Sequence, residues 1–289
     1  MKSIEIVVPI FNAALDVAKC LAALEEHTPA FARVWLVDDA STEGQIGAML
    51  EAFKARAQFG VQILSNCKNL GFIGSVNRAL TLIKGDVLLL NSDAIVTRDS
   101  ILAIARAAEL VPNAASITPW SNNAEICSFP NFCVNNAVPA NLDELAGACA
   151  TLTPRYPELP TGVGFCMFMS QFALRRLGLF DSATFGRGYG EENDWCRRAL
   201  GFGMRNILCD NAFVAHSGGR SFAATGETPG GENLRRLSAR YPSYQESVAR
   251  FIAADPLAAD RARLSAAIAD ISAREAKKHI KNFASGAAR

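Results

Sequence analysis

The chain of 289 residues has eight cysteines but no C-x-x-C pair. That excludes a zinc ribbon and a thioredoxin-like dithiol. It has no apolar run of about 18 residues, so no transmembrane helix is predicted. Its opening, Met1-Lys2-Ser3-Ile4-Glu5-Ile6, lacks the apolar core of a secretory signal. Neither sign of charge is in excess: 29 Lys and Arg face 28 Asp and Glu, a net +1. A nucleic-acid partner is therefore not expected. Histidine is scarce, and His27 and His279 lie in polar, helix-like surroundings. The stretch Asn69-Leu70-Gly71-Phe72-Ile73-Gly74 fits neither G-x-G-x-x-G nor the Walker loop, which argues against a dinucleotide oxidoreductase and a P-loop NTPase. Cys20, Cys166, Cys196 and Cys209 sit in apolar or helical stretches. They read as small buried hydrophobes in a reducing cytoplasm.

What is present is enough apolar sequence for a large core: 50% hydrophobic and 20% charged residues. The first half alternates short β-rich runs (4–10, 33–37, 61–65, 86–90, 115–118) with helical patterns (14–25, 43–58, 73–83, 100–110). The runs are nearly continuous in apolar residues, as strands covered on both faces are. This alternation predicts an α/β fold with a single, mainly parallel sheet and helices on both faces. Residues 121–160 are irregular apart from a short helix at 142–150. A second block follows, with strands at 163–169, 205–209 and 212–216 and helices at 171–177 and 191–200. From Asn233 the chain is helical and charged. Leu257, Leu264, Ile268 and Ile271 mark an amphipathic helix that packs on the domain or on a second subunit.

In such a sheet ligands gather at the carboxyl ends of strands. Three polar clusters fall there: Pro9-Ile10-Phe11-Asn12, Asp38-Asp39-Ala40-Ser41 and Asn91-Ser92-Asp93. Asp38 or Asp39 can cap a turn, or accept hydrogen bonds from a nucleobase or ribose; strand alternation lets only one of them face a ligand. Asp93 can supply a charged oxygen to a hard cation, and Asn91 a neutral one. Glu191-Glu192-Asn193-Asp194 opens a helix after the glycine-rich Gly186–Gly190. The bland reading is acid at a helix N-terminus, with Asp194 paired to Arg198. The functional one is a catalytic base under a closing loop. His216 ends a strand ahead of Ser217-Gly218-Gly219-Arg220-Ser221, an arrangement suited to phosphate or metal.

Taken together these residues resemble the family 2 glycosyltransferases of the GT-A fold. The resemblance runs in order through Val7–Asn12, Val37–Ser41, Asn69–Phe72 with Asn77, Leu89–Asp93, Gly190–Arg198 and His216–Gly219 with Ser221-Phe222. It spans about Ile4 to Phe222, and the subgroup it suggests is the bacterial rhamnosyltransferase-like, polysaccharide-assembly members. It implies a GT-A domain over 1–232, divided into a nucleotide-sugar half (1–120) and an acceptor and catalytic half (121–232), with a helical extension over 233–289.

By resemblance the reaction is an inverting transfer from a nucleoside-diphosphate sugar to a saccharide or other hydroxyl acceptor. Asp39 then contacts the base and Asp38 supports the ribose. Pro9, Phe11, Asn12, Asn69, Gly71, Asn77, Asn91 and Ser92 complete the donor site. Asp93 and His216, with Asn91, hold Mg2+ or Mn2+. Glu192 is the base with Glu191 beside it, and Trp195 and Tyr189 lie on the acceptor side. Two positions depart from the family pattern. Asn91 replaces the first aspartate of D-x-D and removes a charge. Glu192 replaces the catalytic aspartate, one methylene longer, which leaves the base among Glu191, Glu192 and Asp194.

Two other readings compete: a nucleotidyltransferase, and a non-catalytic nucleotide-sugar-binding protein. The implied compartment is the cytoplasm, extending to the inner face of the cell membrane. Lys277, Lys278 and Lys281 could touch anionic lipid there, although a solvated helix end explains them better. A homodimer is the remaining partner option.

Overall fold

The computed structural model describes residues 3–218 and 231–286, with backbone alone for 275 and 277–286. Eight strands form one sheet in the order β3-β2-β1-β4-β7-β6-β8-β5. The strands are β1 (Ile4–Ile10), β2 (Ala32–Asp38), β3 (Gly60–Ser65), β4 (Asp86–Leu90), β5 (Ala94–Val96), β6 (Ala114–Trp120), β7 (Cys166–Met169) and β8 (Arg205–His216). β1 runs parallel to β2 and β4, β2 to β3, and β6 to β8. β7 is antiparallel to both β4 and β6, and β5 is antiparallel to β8.

Side-chain alternation sorts the strands into two cores. Ile4, Ile6, Val8 and Ile10 of β1, with Leu88 and Leu90 of β4, face one layer. Val7, Val87 and Leu89 face the other. Helices α1 (Ala14–His27), α2 (Gln45–Arg56), α4 (Ser100–Leu110) and α5 (Leu142–Thr151) cover the first layer. Helices α3 (Gly71–Leu82), α6 (Gln171–Leu177), α7 (Ser182–Phe185) and α8 (Glu191–Gly201) cover the second. This double coverage is why the strands read as unbroken apolar runs.

Several elements differ from the sequence reading, among them the strand expected at 163–169, which begins at Cys166. α2 begins at Gln45 rather than Glu43, because the Glu43 carboxylate accepts from the Ala13 and Ala14 amides at 2.9 and 3.0 Å and caps α1. The two strands expected at 205–209 and 212–216 are one strand, β8, with a register shift against Pro119/Trp120. β5 and α7 had no readable signal, being three and four residues long. Not every cysteine is a core residue either: Cys67 and Cys133 are exposed, and all eight are free.

The C-terminal segment forms α9 (Glu232–Arg240), α10 (Tyr244–Ala254) and α11 (Ala258–Gly286). Leu257 and Leu264 are fully buried in the first core, and Ile268 and Ile271 pack against it. The amphipathic helix therefore seals its apolar face on this domain. Among the described residues no helix is long and apolar enough to cross a membrane. The side chains of Lys277, Lys278 and Lys281 lie outside the described residues.

Topology opens the site. From β1 the chain moves outward to β2 and β3, then returns to β4 on the other side of β1. A sheet splits at such a reversal. The β1–β4 ladder stops at Val7 and Leu89, while β1 stays paired with β2 through Ile10. Pro9 has no amide proton to extend a ladder. A cleft opens between the ends of β1 and β4.

Candidate active site

A cavity of about 260 Å³ occupies that cleft. Its walls carry Pro9, Phe11, Asp39, Asn69, Gly71, Asn91, Ser92, Asp93, Tyr189, Glu191, Glu192 and His216, all anticipated from sequence. They come from six segments spread over more than two hundred residues. The switch-point topology is what brings them together.

On the β2 side, Asp39 is buried and both of its oxygens are engaged. Oδ1 accepts from Asn66 Nδ2 at 2.8 Å and from the Leu70 amide at 2.7 Å, and Oδ2 accepts from the Gly71 amide at 2.8 Å. Asp39 thus anchors the loop that starts α3. Gly71 has a left-handed backbone (φ 75°), and a Cβ there would meet Arg187 at 3.0 Å. Glycine lets the glycine-rich loop close over the pocket at this point. Arg187 donates to Asn69 Oδ1 and places a guanidinium in the wall.

Four residues expected at the site do not line the cavity and are engaged elsewhere. Asp38 takes the turn-capping role, accepting from the Ser41 amide at 3.0 Å. Asn12 clamps the start of α2, its Oδ1 accepting from the Thr42 and Glu43 amides at 2.8 and 3.1 Å. Asn77 grips the backbone of Phe180 through both ends of its amide, at 2.9 and 3.1 Å. None of the three lines the cavity. Trp195, expected toward the acceptor, is fully buried, and its indole donates to the Gly178 carbonyl at 3.0 Å. The first turn of α8 turns this residue into the core while Glu191 and Glu192 face the cavity.

At the β4 and β8 ends, His216 Nε2 lies 3.3 Å from Asp93 Oδ1. Its Nδ1 is 2.7 Å from the Asn123 carbonyl, and its ring stacks on Phe165 at 5.1 Å. Burial pushes the imidazole pKa down, but the hydrogen bond and charge of Asp93, with the Asn123 carbonyl, more than offset it and hold it above the ordinary value. A carbonyl can only accept, so Nδ1 carries a proton. Nε2 must then either carry a second proton or aim a lone pair at a carboxylate. Asp93 and His216 would suit a divalent cation, which would take up that lone pair, so the donor chemistry fits Mg2+ or Mn2+. Asn91 adds a neutral oxygen in the same wall. Among the described residues no group of three or more His, Cys, Asp or Glu converges on a metal position. Such a set suits a cation that takes its other ligands from diphosphate and water. Gly219, Arg220, Ser221 and Phe222, the rest of the expected histidine motif, lie outside the described residues.

The carboxylates at α8 separate cleanly. Asp194 is fully buried and bound at 2.9 Å by Arg198, at 2.7 Å by Arg240 and at 3.0 Å by the Tyr241 hydroxyl. It ties α9 to α8 and has no oxygen left for chemistry. Glu192 lines the cavity, and its Oε2 is buried without a hydrogen-bond partner among the described residues. Desolvation, with the negative charge of Glu125 adding to it, raises its carboxyl from 4.5 to about 7. Gly190, left-handed at φ 100°, caps α8 and lies against the Phe185 ring. Asn233 of α9 donates to the Phe185 and Gly188 carbonyls at 2.8 and 2.7 Å, fixing the loop that carries Tyr189.

The wall residues that were not anticipated include Asn123, Glu125 and Arg187. Asn123 and Glu125 lie in the stretch read only as irregular. Their sole signal was an Asn-rich turn after a strand. Arg187 was visible only as one member of a flexible loop.

Residues 5–124 match the model of the family described as Glycosyl transferase family 2. No curated protein matches the chain in sequence. Among solved structures, GalNAc-T7 with UDP, GalNAc and Mn2+ superposes at a TM-score of 0.63 with 13% identity, over 85% of this chain and 50% of that one. The mannosyltransferase PcManGT from Pyrobaculum calidifontis, in complex with GDP-Man and Mn2+, gives 0.58 and 16%, over 99% and 79%. TarS 1-349 of S. aureus in complex with UDP gives 0.57 and 14%, over 87% and 71%. This chain spans half the length of GalNAc-T7. At these identities the likeness is one of fold, and the fold is that of the GT-A glycosyltransferases.

Proposed function

We propose that this chain is an inverting glycosyltransferase, taking a hexosyl or deoxyhexosyl group from a nucleoside-diphosphate sugar to an acceptor hydroxyl in polysaccharide assembly. The observation that carries the reading is the convergence of Asp93, His216 and a proton-accepting Glu192 on one cleft at the switch point of the sheet. The UDP, GDP-Man and Mn2+ held by the structural neighbours support a nucleotide-sugar donor and a divalent metal.

The donor's nucleotide end fits against Pro9, Phe11 and the Asp39-anchored loop. Asp93 and His216, with Asn91, would hold Mg2+ or Mn2+, which supplies charge neutralisation for the departing diphosphate. Arg187 adds a fixed positive charge to the same wall. Glu192 Oε2 accepts the proton of the attacking hydroxyl. A carboxyl titrating at about 7 suits that task, since near neutral pH a substantial fraction is ionised and it is basic enough to hold the proton. Attack from the face opposite the leaving group inverts the anomeric carbon. The loop pinned by Asn233 excludes water that would hydrolyse the donor.

Glu192→Gln tests the assignment. Transfer should fall by at least about a thousandfold, near the upper range for a lost general base, while sugar-nucleotide binding by calorimetry stays within about twofold of wild type. Full activity in the variant would sink the base assignment. Release of pyrophosphate from a nucleoside triphosphate would favour a nucleotidyltransferase instead.

A further inference from the structure

A second cavity, of about 790 Å³, adjoins the first and is walled on its far side by α9 and α10. The two share Val163, Tyr189, Glu125 and Glu192. Glu192 has its role above; Glu125 has none. Its side chain has no hydrogen-bond or ion-pair partner among the described residues. Its backbone is left-handed at φ 46°, a conformation that costs a non-glycine residue energy and concentrates at functional sites.

The turn holding Glu125 is closed firmly on itself. Ser121 donates to Cys127 at 3.1 Å, Phe129 to Ser121 at 2.7 Å, and Ser128 to the Glu125 carbonyl at 3.0 Å. Ile126 and Cys127 are buried behind it. The fixed turn leaves Glu125 projecting into the mouth between the cavities. The same turn presents the Asn123 carbonyl to His216.

We propose that Glu125 is an acceptor-binding carboxylate: at the mouth it shares with Glu192, it hydrogen-bonds an acceptor hydroxyl other than the one that attacks. The acceptor is then a saccharide or other polyol, not an alcohol with a single hydroxyl. This rests on the glycosyl-transfer reading and assigns the second cavity its ligand class. The polar Asn193 and Gln245 beside the mouth suit the same ligand. Glu125 also acts on Glu192 through charge. The groups around Glu192 are Glu191 and Cys196 on its own helix, Glu125 from the turn, and Tyr244 from α10 with Arg197 near it. Removing the Glu125 charge removes one like charge and lowers the Glu192 pKa.

The test compares wild type, Glu125→Gln and Glu125→Ala, with Glu125→Asn in reserve because asparagine tolerates a left-handed backbone. One measurement is nucleoside-diphosphate release with water as acceptor, across pH. The other is saturation-transfer NMR to methyl mannoside, octyl glucoside and 1-octanol. The expected results are an acid limb displaced to lower pH in Glu125→Gln, and at least about a tenfold loss of glycoside affinity in Glu125→Ala, the scale of one lost charge-assisted hydrogen bond. Glu125→Gln should keep most of that affinity, because an amide still hydrogen-bonds a hydroxyl, and nucleotide affinity should not change. An unmoved acid limb with intact glycoside binding in Glu125→Ala overturns the proposal. So does wild-type protein that binds 1-octanol or nothing of the panel, or equal losses in Gln and Ala, which indicate a cationic acceptor. If no sugar nucleotide is hydrolysed, the glycosyl-transfer reading fails, and the NMR arm still decides the role of Glu125.

Discussion

Glu192 links catalysis and stability through one proton. Its carboxyl titrates near 4.5 when exposed and near 7 in the fold. Between these values the folded state binds more protons than the unfolded one. Stability is therefore highest below about pH 4.5 with respect to this group, and falls as pH rises toward about 7. Glu192→Gln removes the penalty. Its melting temperature should exceed that of wild type by several degrees at about pH 8 and match it near pH 4, by scanning calorimetry. Equal melting temperatures at the higher pH would mean that the carboxyl is not desolvated. Transfer by wild type should lose activity on the acid side with an apparent pKa near 7. Asp39 shows the limit of reading one residue at a time. The sequence offered a cap or a ligand contact, and the structure gives a loop anchor that also lines the cavity.

At the scale of elements, α8 and α9 work as a unit. Arg198, Arg240 and Tyr241 form a charge network around the buried Asp194, and Asp181 shares Arg240 at 2.9 Å. Hydrogen bonds from Thr184 and Arg240 pull the Asp181 carboxyl down to about 2, against some desolvation. Removing the Asp194 charge leaves Arg198 and Arg240 without their central partner. Asp194→Asn should cost roughly 3 kcal/mol in urea unfolding, in line with broken buried ion pairs. It should also lower transfer, since α9 carries Asn233, the clamp on the Tyr189 loop. Unchanged stability would show that the network contributes nothing beyond solvation. The sequence showed α8 as a helix and the chain from Asn233 as helical. Their mutual docking was invisible, because a charge pair such as Arg240 with Asp194 spans residues far apart in sequence.

For the whole molecule, ligand binding and folding are coupled by mass action. A sugar nucleotide at a hundredfold its Kd should stabilise the fold by about 2.7 kcal/mol. A thermal-shift series of nucleoside diphosphates and sugar nucleotides, with and without Mn2+, measures this. Asp93→Asn should abolish the Mn2+-dependent part of the shift and keep the metal-independent part. An Mn2+ effect that survives in Asp93→Asn would move the cation elsewhere. The near-zero net charge, +1 over the chain, conceals an acidic rim where Asp39, Asp93, Glu125, Glu191 and Glu192 share one cavity. Under the proposed function, a cation and a diphosphate would neutralise each other within it.

The sequence by itself determined the order of strands and helices, because hydrophobic periodicity is local. β4, α4 and α6 fall where their apolar pattern begins and ends. It also determined which clusters end strands, and hence the rim. Only the tertiary structure decided which polar side chains face the cavity. Asp38 and Asp39 are neighbours, as are Asp194 and Trp195; Asp38 turns to the nearby Ser41, while partners elsewhere in the fold set the direction of the other three. For Asn12, Asn77 and Asp194 those partners are Thr42, Phe180 and Arg240. Glu125 went unread for the same reason. Its turn is closed locally, but its place beside Glu192 depends on a meeting of distant segments that no local pattern encodes.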